Sequence, residues 1–199
     1  MTPLTDAADI IAFHDECVAG RSWAKTAPAR FAEGVWHFLE LNHRFNNLLW
    51  DEEDLARRKD VADSEIAANK RAIDGYNQKR NDAIERMDEV FLSALPPAVA
   101  GSRLNSETAG SMIDRISILA LKIFHMGEQT HRSDASAEHI TTCQAKLERL
   151  REQRADLAAC LEQLLADCAE GRAHYKVYRQ FKMYNDATLN PYLYGAGKA

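Results

Sequence analysis

Glycine and proline are scarce in this chain of 199 residues, which has 9 glycines and 5 prolines. Because tight turns depend on these residues, their scarcity disfavours a sheet protein built from many short strands. The sequence also lacks a glycine-rich phosphate loop, a Cys-x-x-Cys pair, zinc-ligand spacing, and an assembled Ser-His-Asp or Cys-His triad. It therefore discloses neither a reaction nor a cofactor.

Excess positive charge and long apolar runs are missing as well. The net charge is −5, so the chain has no general attraction to phosphate backbones, and no nucleic-acid partner is expected. The most apolar stretch, residues 116–126, is too short to cross a bilayer and contains Lys122. No basic segment followed by an apolar one opens the chain. We expect a cytoplasmic protein with no membrane span.

Helical periodicity dominates what is present. Apolar residues recur at spacings of three and four, which predicts an all-α, single-domain antiparallel bundle of about five helices with an ordered C-terminal arm. The domain spans 1–199, with an N-terminal helix and linker (1–25), a long-helix core (26–171) and the arm (172–199). Predicted helices cover about 6–18, 26–58, 64–92, 105–131 and 136–170. Thr26 and either Asn105 or Ser106 are predicted N-caps, Gly171 is a predicted stop, and the arm is expected to begin as a helix.

Polar side chains interrupt the apolar faces of the second, third and fourth predicted helices. They are His43, Asn46, Trp50, Glu53, Asp54 and Arg57; Lys70, Asp74, Asn77, Arg80, Asn81 and Asp82; and Asp114, Arg115 and Lys122. Buried without partners, such groups would each cost about 1–3 kcal/mol. They are therefore expected to pair with one another, with water or with a ligand. An internal network that sets helix register, a solvated helix face and a polar ligand pocket all fit this pattern.

A metal centre is an alternative interpretation of some of the same residues. Two Glu-x-x-His pairs, Glu40 with His43 and Glu128 with His131, resemble the spacing used by di-metal carboxylate bundles, and Glu85 could supply a further ligand. Such pairs also arise by coincidence in a chain with 30 acidic residues and 7 histidines. The main interpretation therefore includes no metal.

Four segments together resemble a bacterial family known as a domain of unknown function, DUF4254. They are HRFNNLLWDEEDLAR (43–57), KRAIDGYNQKRNDAIE (70–85), NSETAGSMIDRISILALK (105–122), and QFKMYND (180–186) with LNP (189–191). The resemblance covers about residues 30–194 and implies no established activity. Family members are often encoded near glycosyltransferases for surface polysaccharides, so the resemblance implies a role beside polysaccharide biosynthesis.

These observations lead to one hypothesis and two rivals. The hypothesis is a small polar ligand, bearing a sugar or a phosphate, bound between the second, third and fourth predicted helices. The arm would close over it through a lid of four residues: Lys182, Tyr184, Asn185 and Asp186. The rivals are an adaptor that binds a partner enzyme such as a glycosyltransferase, and the metal-dependent enzyme. A homodimer of this chain is a further alternative.

Overall fold

The computed structural model describes residues 5–20, 22–181 and 183–194. The chain is mostly helical, at 71%, which confirms the all-α class. None of the helices in these ranges has the length and apolar content needed to cross a membrane. The elements are α1 (Ala7–Ala19), α2 (Trp23–Thr26), α3 (Gly34–Leu55), α4 (Asp63–Ala94), β1 (Arg103–Leu104), α5 (Ala109–Thr130), α6 (Ala137–Ala169), β2 (Ala173–His174), a 3₁₀ turn (Met183–Asn185) and α7 (Pro191–Tyr194).

The start of the second predicted helix, which corresponds to α3, was predicted wrongly. Thr26 ends the short α2 instead of capping α3, and its hydroxyl donates back to the carbonyl of Ser22. Ala27 precedes Pro28 and is extended, as the residue before a proline tends to be. The buried carboxylate of Glu40 then accepts hydrogen bonds from the backbone N–H groups of Arg30 and Phe31. The chain therefore reaches α3 through a non-helical segment tied to α3 itself.

Helices α3 and α4 pack along each other, and α5 lies against α1, α3, α4 and α6. On α4 the side chains of Ile73, Asn81 and Phe91 are buried, so the predicted polar residue Asn81 shares the interior face with apolar ones. The side chain of Lys70, by contrast, is exposed. Helix α5 contributes the centre of the core, where Ile113 is fully buried.

The N-cap of α5 lies two or three residues later than predicted. The cap is Thr108, whose hydroxyl oxygen accepts a hydrogen bond from the N–H of Ser111 at 3.2 Å. Asn105 has another role: its side chain donates to the carbonyl of Glu107, and its backbone N–H donates to the carbonyl of His174.

The C-terminal arm begins as a strand, which corrects the predicted helix. Gly171 ends α6 with a φ of 73°, in the left-handed region that favours glycine, as predicted. The chain then turns, and β2 pairs in parallel with β1 in the register Arg103 with Ala173 and Leu104 with His174. This pairing satisfies backbone groups of the loop that follows α4, and it starts the arm alongside α4.

Candidate functional site

A cleft of about 300 Å³ lies where α3, α4 and α5 meet. Its apolar floor comes from Leu49 on α3 and from Ile118 and Leu121 on α5. Its walls carry an indole, two amides, two carboxylates and two guanidinium groups. Those wall residues are Asn46, Trp50, Glu53, Asp54 and Arg57 from α3 and the turn after it, and Asn77 and Arg80 from α4.

Helical spacing explains why these seven side chains meet. Asn46, Trp50 and Glu53 follow one another at intervals of four and three along α3, so they share one face. Asn77 and Arg80, three apart on α4, face the same space. All seven belong to the polar residues predicted from the sequence, and the structure brings them together around one cleft.

A buried hydrogen-bond network supports the cleft from beneath. The Asp114 carboxylate oxygen Oδ1 accepts from the amides of Asn42 and Asn46, at 2.8 and 2.9 Å. The Asn46 amide also reaches the Ser117 hydroxyl at 2.9 Å, and His43 Nδ1 lies 2.7 Å from the same hydroxyl. Asn46 thus belongs to both the wall and the network, so the network sets the orientation of its side chain. His43 and Asp114, predicted to line the site, lie below it.

Two wall side chains retain hydrogen-bonding capacity. The Nε of Arg80 is buried and has no hydrogen-bond partner among the described residues, and it lies 3.9 Å from Oδ1 of Asp114. The Arg80 Nη2 donates to Asn81 at 3.2 Å. The side-chain amide of Asn77 is half-buried, and it too has no partner within the described ranges. Buried polar groups are normally hydrogen-bonded, so the Nε of Arg80 marks where a ligand or water would bind, and the half-buried Asn77 amide can bond to either.

Several predicted residues of α4 and α5 lie outside the cleft. Lys70 and Asp74 form an exposed ion pair at 2.5 Å, and Asp82 accepts from Gln78 on the outer face of α4. Arg115 is exposed and pairs with Glu107. These charges lie on solvated faces, where water screens them.

Asn81 and the predicted lid are also placed differently from the prediction. The Asn81 amide donates to Gln180 of the arm at 2.9 Å, next to a separate small cavity. Asn185 and Asp186 are exposed, and none of the cleft-lining residues comes from the described part of the arm. Lys182 and the side chain of Tyr184 lie outside what the structure describes.

The five residues of the metal alternative are used separately. Glu40 binds two backbone N–H groups through Oε2 and Arg44 through Oε1, and Glu85 accepts from the backbone of Gln180. Glu128 pairs with His125, and His131 is exposed at the end of α5. In the described ranges no group of three or more His, Cys, Asp or Glu residues could hold a metal ion.

Sequence reasoning missed three members of the buried network and its surroundings: Asn42, Ser117 and His14. Asn42 lies four residues before Asn46, and Ser117 three residues after Asp114, so helical spacing from predicted residues could have identified both. His14 follows Ile10 by four on the apolar face of α1, and its ring stacks on that of His43 with centroids 4.2 Å apart.

His14 and His43 are held in the neutral form. Burial lowers the pKa of His43 from 6.5 to about 3. Burial also lowers the pKa of His14 well below its ordinary value, with smaller effects from His43 and Arg154. Neither ring nitrogen of His14 has a hydrogen-bond partner among the described residues. Both rings are fully buried, so neither histidine is placed to exchange protons with a ligand in the cleft.

Lowering the pH from 7 to 5 is therefore expected to weaken the fold through these histidines. Below about pH 6.5 each gains a proton in the unfolded chain but not in the folded one, so the unfolded state binds more protons. For His43 this lowers the free energy of unfolding by about 2 kcal/mol at pH 5. Asp88 acts in the opposite direction, because burial raises its pKa from 3.8 to about 6. The folded state therefore binds more protons at this carboxyl as the pH falls, which offsets about 1 kcal/mol of the loss in the free energy of unfolding.

The substitution His14→Phe isolates one of these contributions, because it removes a titrating ring that has no hydrogen-bond partner in the described part of the chain. Urea unfolding at pH 7 and pH 5 should show a smaller acid-induced loss of stability in this variant than in the wild type. His131→Phe, at an exposed position, is the control and should keep the wild-type difference. An unchanged difference in His14→Phe would contradict the assignment.

Comparison with known proteins identifies the family. Residues 36–177 match the family model described as "Protein of unknown function (DUF4254)". The matched segment contains α3 from its third residue onward and all of α4, α5 and α6, and with them the residues that line the cleft. The fourth resembling segment, 180–191, lies beyond it. No curated protein and no solved structure matches this chain. The chain belongs to the DUF4254 family.

Proposed function

We propose that this DUF4254 protein binds a small polar ligand in the cleft between α3, α4 and α5, as part of surface polysaccharide metabolism in the bacterial cytoplasm. The observation that carries the proposal is the hydrogen-bonding capacity left at Arg80 and Asn77 in that cleft. Although the Arg80 side chain is 25% exposed, its Nε is buried, and a buried donor without a partner is costly, so a ligand that accepts its hydrogen bond offsets the cost.

The chemistry of the walls favours a ligand with many hydroxyl groups. Side-chain amides can donate to hydroxyls and accept from them, and carboxylates can accept from them. Both kinds of group line the cleft together with the Trp50 indole. Trp50 is held by a parallel stack on His125, with ring centroids 4.5 Å apart and planes 6° apart. A sugar ring presents C–H groups on its face and hydroxyls at its edge, which suits such a site.

The volume and the support of the cleft are also those of a ligand site. About 300 Å³ lies at the lower end of the ~300–1,000 Å³ typical of small-molecule sites. The Asn46 amide is already oriented by Asp114 and Ser117. Side chains fixed before binding lose less conformational entropy when the ligand arrives.

Asn77→Ala is expected to abolish stabilisation by ligand while leaving the helical content unchanged, because the Asn77 amide has no hydrogen-bond partner among the residues that the structure describes. The measurement is the shift in Tm across a panel of hexoses and hexuronic acids, where a bound compound raises Tm by mass action. Gln78→Ala is the matched control: it removes a neighbouring amide that points to Asp82 outside the cleft. Equal ligand-induced shifts in Asn77→Ala and the wild type would refute the proposal.

A second candidate function, the docking of a partner enzyme, is favoured by the C-terminal arm. Tyr178, Phe181 and Tyr192 are 77%, 90% and 90% exposed. Aromatic side chains exposed in this way are enriched at protein interfaces. The double variant Phe181→Ser/Tyr192→Ser should then lose a specific partner that both the wild type and Asn77→Ala retain in affinity purification. Retention of the same partner by the double variant would remove this candidate.

A further inference from the structure

A second groove, of about 650 Å³, lies directly beside the cleft. Trp50 and Asp54 line both spaces, and Trp50 stacks on His125, which lines the groove. The other walls of the groove come from α5 and α6, and its apolar part includes Met126 and Leu150. One ligand of moderate length could extend across the Trp50 edge from the cleft into the groove.

The groove is positively charged in a chain whose net charge is −5. Lys122 of α5 and Lys146 and Arg149 of α6 line it. Neither lysine has an ion-pair partner in the ranges that the structure describes. Arg149 pairs with Glu152 at 3.4 Å, but the two side chains are 83% and 68% exposed, so water weakens that pair.

Two other ionisable groups face the same space. The Asp54 carboxylate lines the groove at the boundary with the cleft, and His125 is held by Glu128 at 3.2 Å. Three cations against one lining carboxylate leave the groove with excess positive charge. Lys122 comes from α5 and Lys146 from α6, so an anion in the groove would have an ammonium group available from each of two helices.

We infer that this groove is a phosphate subsite, and that the ligand is a soluble phosphate ester whose hydroxyl-bearing part occupies the cleft. The inference rests on the proposed function for the cleft part only. A phosphate group is a doubly charged acceptor that lysines bind as point charges and arginine binds through its planar fork. The phosphate would therefore be held by lysine and arginine side chains that line an open groove beside the Trp50 indole.

The test compares an uncharged sugar with its phosphate. Glucose, glucose 1-phosphate and inorganic pyrophosphate are titrated into the full chain by calorimetry. The wild type should bind glucose 1-phosphate about tenfold more tightly than glucose, the gain typical of a charge-assisted contact. Lys122→Gln/Lys146→Gln should reduce this preference to about one while the affinity for glucose is kept, since both lysines are exposed and lie outside the cleft. The preference should also fall with added NaCl.

Lys176→Gln is the matched control, because it removes the same charge from an exposed position after β2, beyond the opposite end of α6. It should keep the wild-type preference. Persistence of the preference in Lys122→Gln/Lys146→Gln, or an equal loss in Lys176→Gln, would overturn the inference. Binding to phosphatidylglycerol vesicles without binding of glucose 1-phosphate would also overturn it, because the cations would then serve a membrane surface.

Pyrophosphate separates the inference from the proposed function. If pyrophosphate binds the wild type but not Lys122→Gln/Lys146→Gln, the phosphate subsite stands even when no sugar binds the cleft. If sugars bind and are lost in Asn77→Ala while neither pyrophosphate nor glucose 1-phosphate uses the two lysines, the cleft stands and the subsite is refuted.

Discussion

Gly110→Ala is expected to lower the free energy of unfolding by about 3 kcal/mol, as measured by urea denaturation. Gly110 lies in the first turn of α5, where the helix crosses α4 at close range. A Cβ atom there would lie 2.7 Å from the carbonyl oxygen of Ile84 and 2.9 Å from Oδ1 of Asp88. The Gly110 N–H also donates to that Asp88 oxygen at 2.7 Å. The clash is with backbone, so relief requires α5 to move away from α4 and breaks this buried hydrogen bond.

Gly75→Ala is the matched control and should raise the free energy of unfolding instead of lowering it. Gly75 is an exposed residue within α4, and an added Cβ would meet no atom within 4 Å. Alanine loses less backbone entropy than glycine on entering a helix, so a gain of about 0.5–1 kcal/mol is expected. A loss in Gly110→Ala no larger than 1 kcal/mol would show that α4 and α5 can separate at this point without consequence.

The long helices were predictable because their signals are local. Periodicity located α4 and α6 to within a few residues at each end. The start of α3 depended instead on Glu40, which tethers Arg30 and Phe31 from ten and nine residues away. The two-residue strands β1 and β2 are too short to show alternation, and they pair across 70 residues. The single domain and the antiparallel five-helix arrangement stay predictions.

For the candidate site, periodicity predicted which helix faces carry polar residues, but not which residues on those faces line the cleft. Asn77 and Asp74 lie three apart on α4, yet one lines the cleft and the other is exposed. The difference is set by where α5 covers α4, a tertiary contact that no spacing within α4 encodes. The groove could not be predicted for the same reason. In the sequence, Lys146 and Arg149 of α6 have the pattern of surface charges, and only the tertiary structure brings them to the groove that Trp50 also lines.

Asp114→Leu is expected to lower the free energy of unfolding by about 3 kcal/mol. The substitution removes the acceptor shared by the Asn42 and Asn46 amides and the carboxylate nearest the buried Nε of Arg80. Each buried donor left without a partner costs about 1–3 kcal/mol, although Asn46 keeps its bond to Ser117. Asp114→Asn retains a carbonyl oxygen of the same reach and should lose only about 1 kcal/mol. Urea denaturation of the two variants in parallel is the measurement.

The same residues decide between a network that only sets helix register and one that supports a binding site. Replacing both partners by apolar groups, as in Asn42→Leu/Asp114→Leu, can recover the stability lost in Asp114→Leu, because no buried donor is then left without its acceptor at Asn42. A register device would leave ligand-induced shifts in Tm intact in this recovered variant. If the network supports the cleft, the shifts disappear despite the recovered stability, since the Asn46 amide and the Arg80 guanidinium have lost the carboxylate that positions them. Recovered stability with full ligand response would therefore limit Asp114 to a structural role.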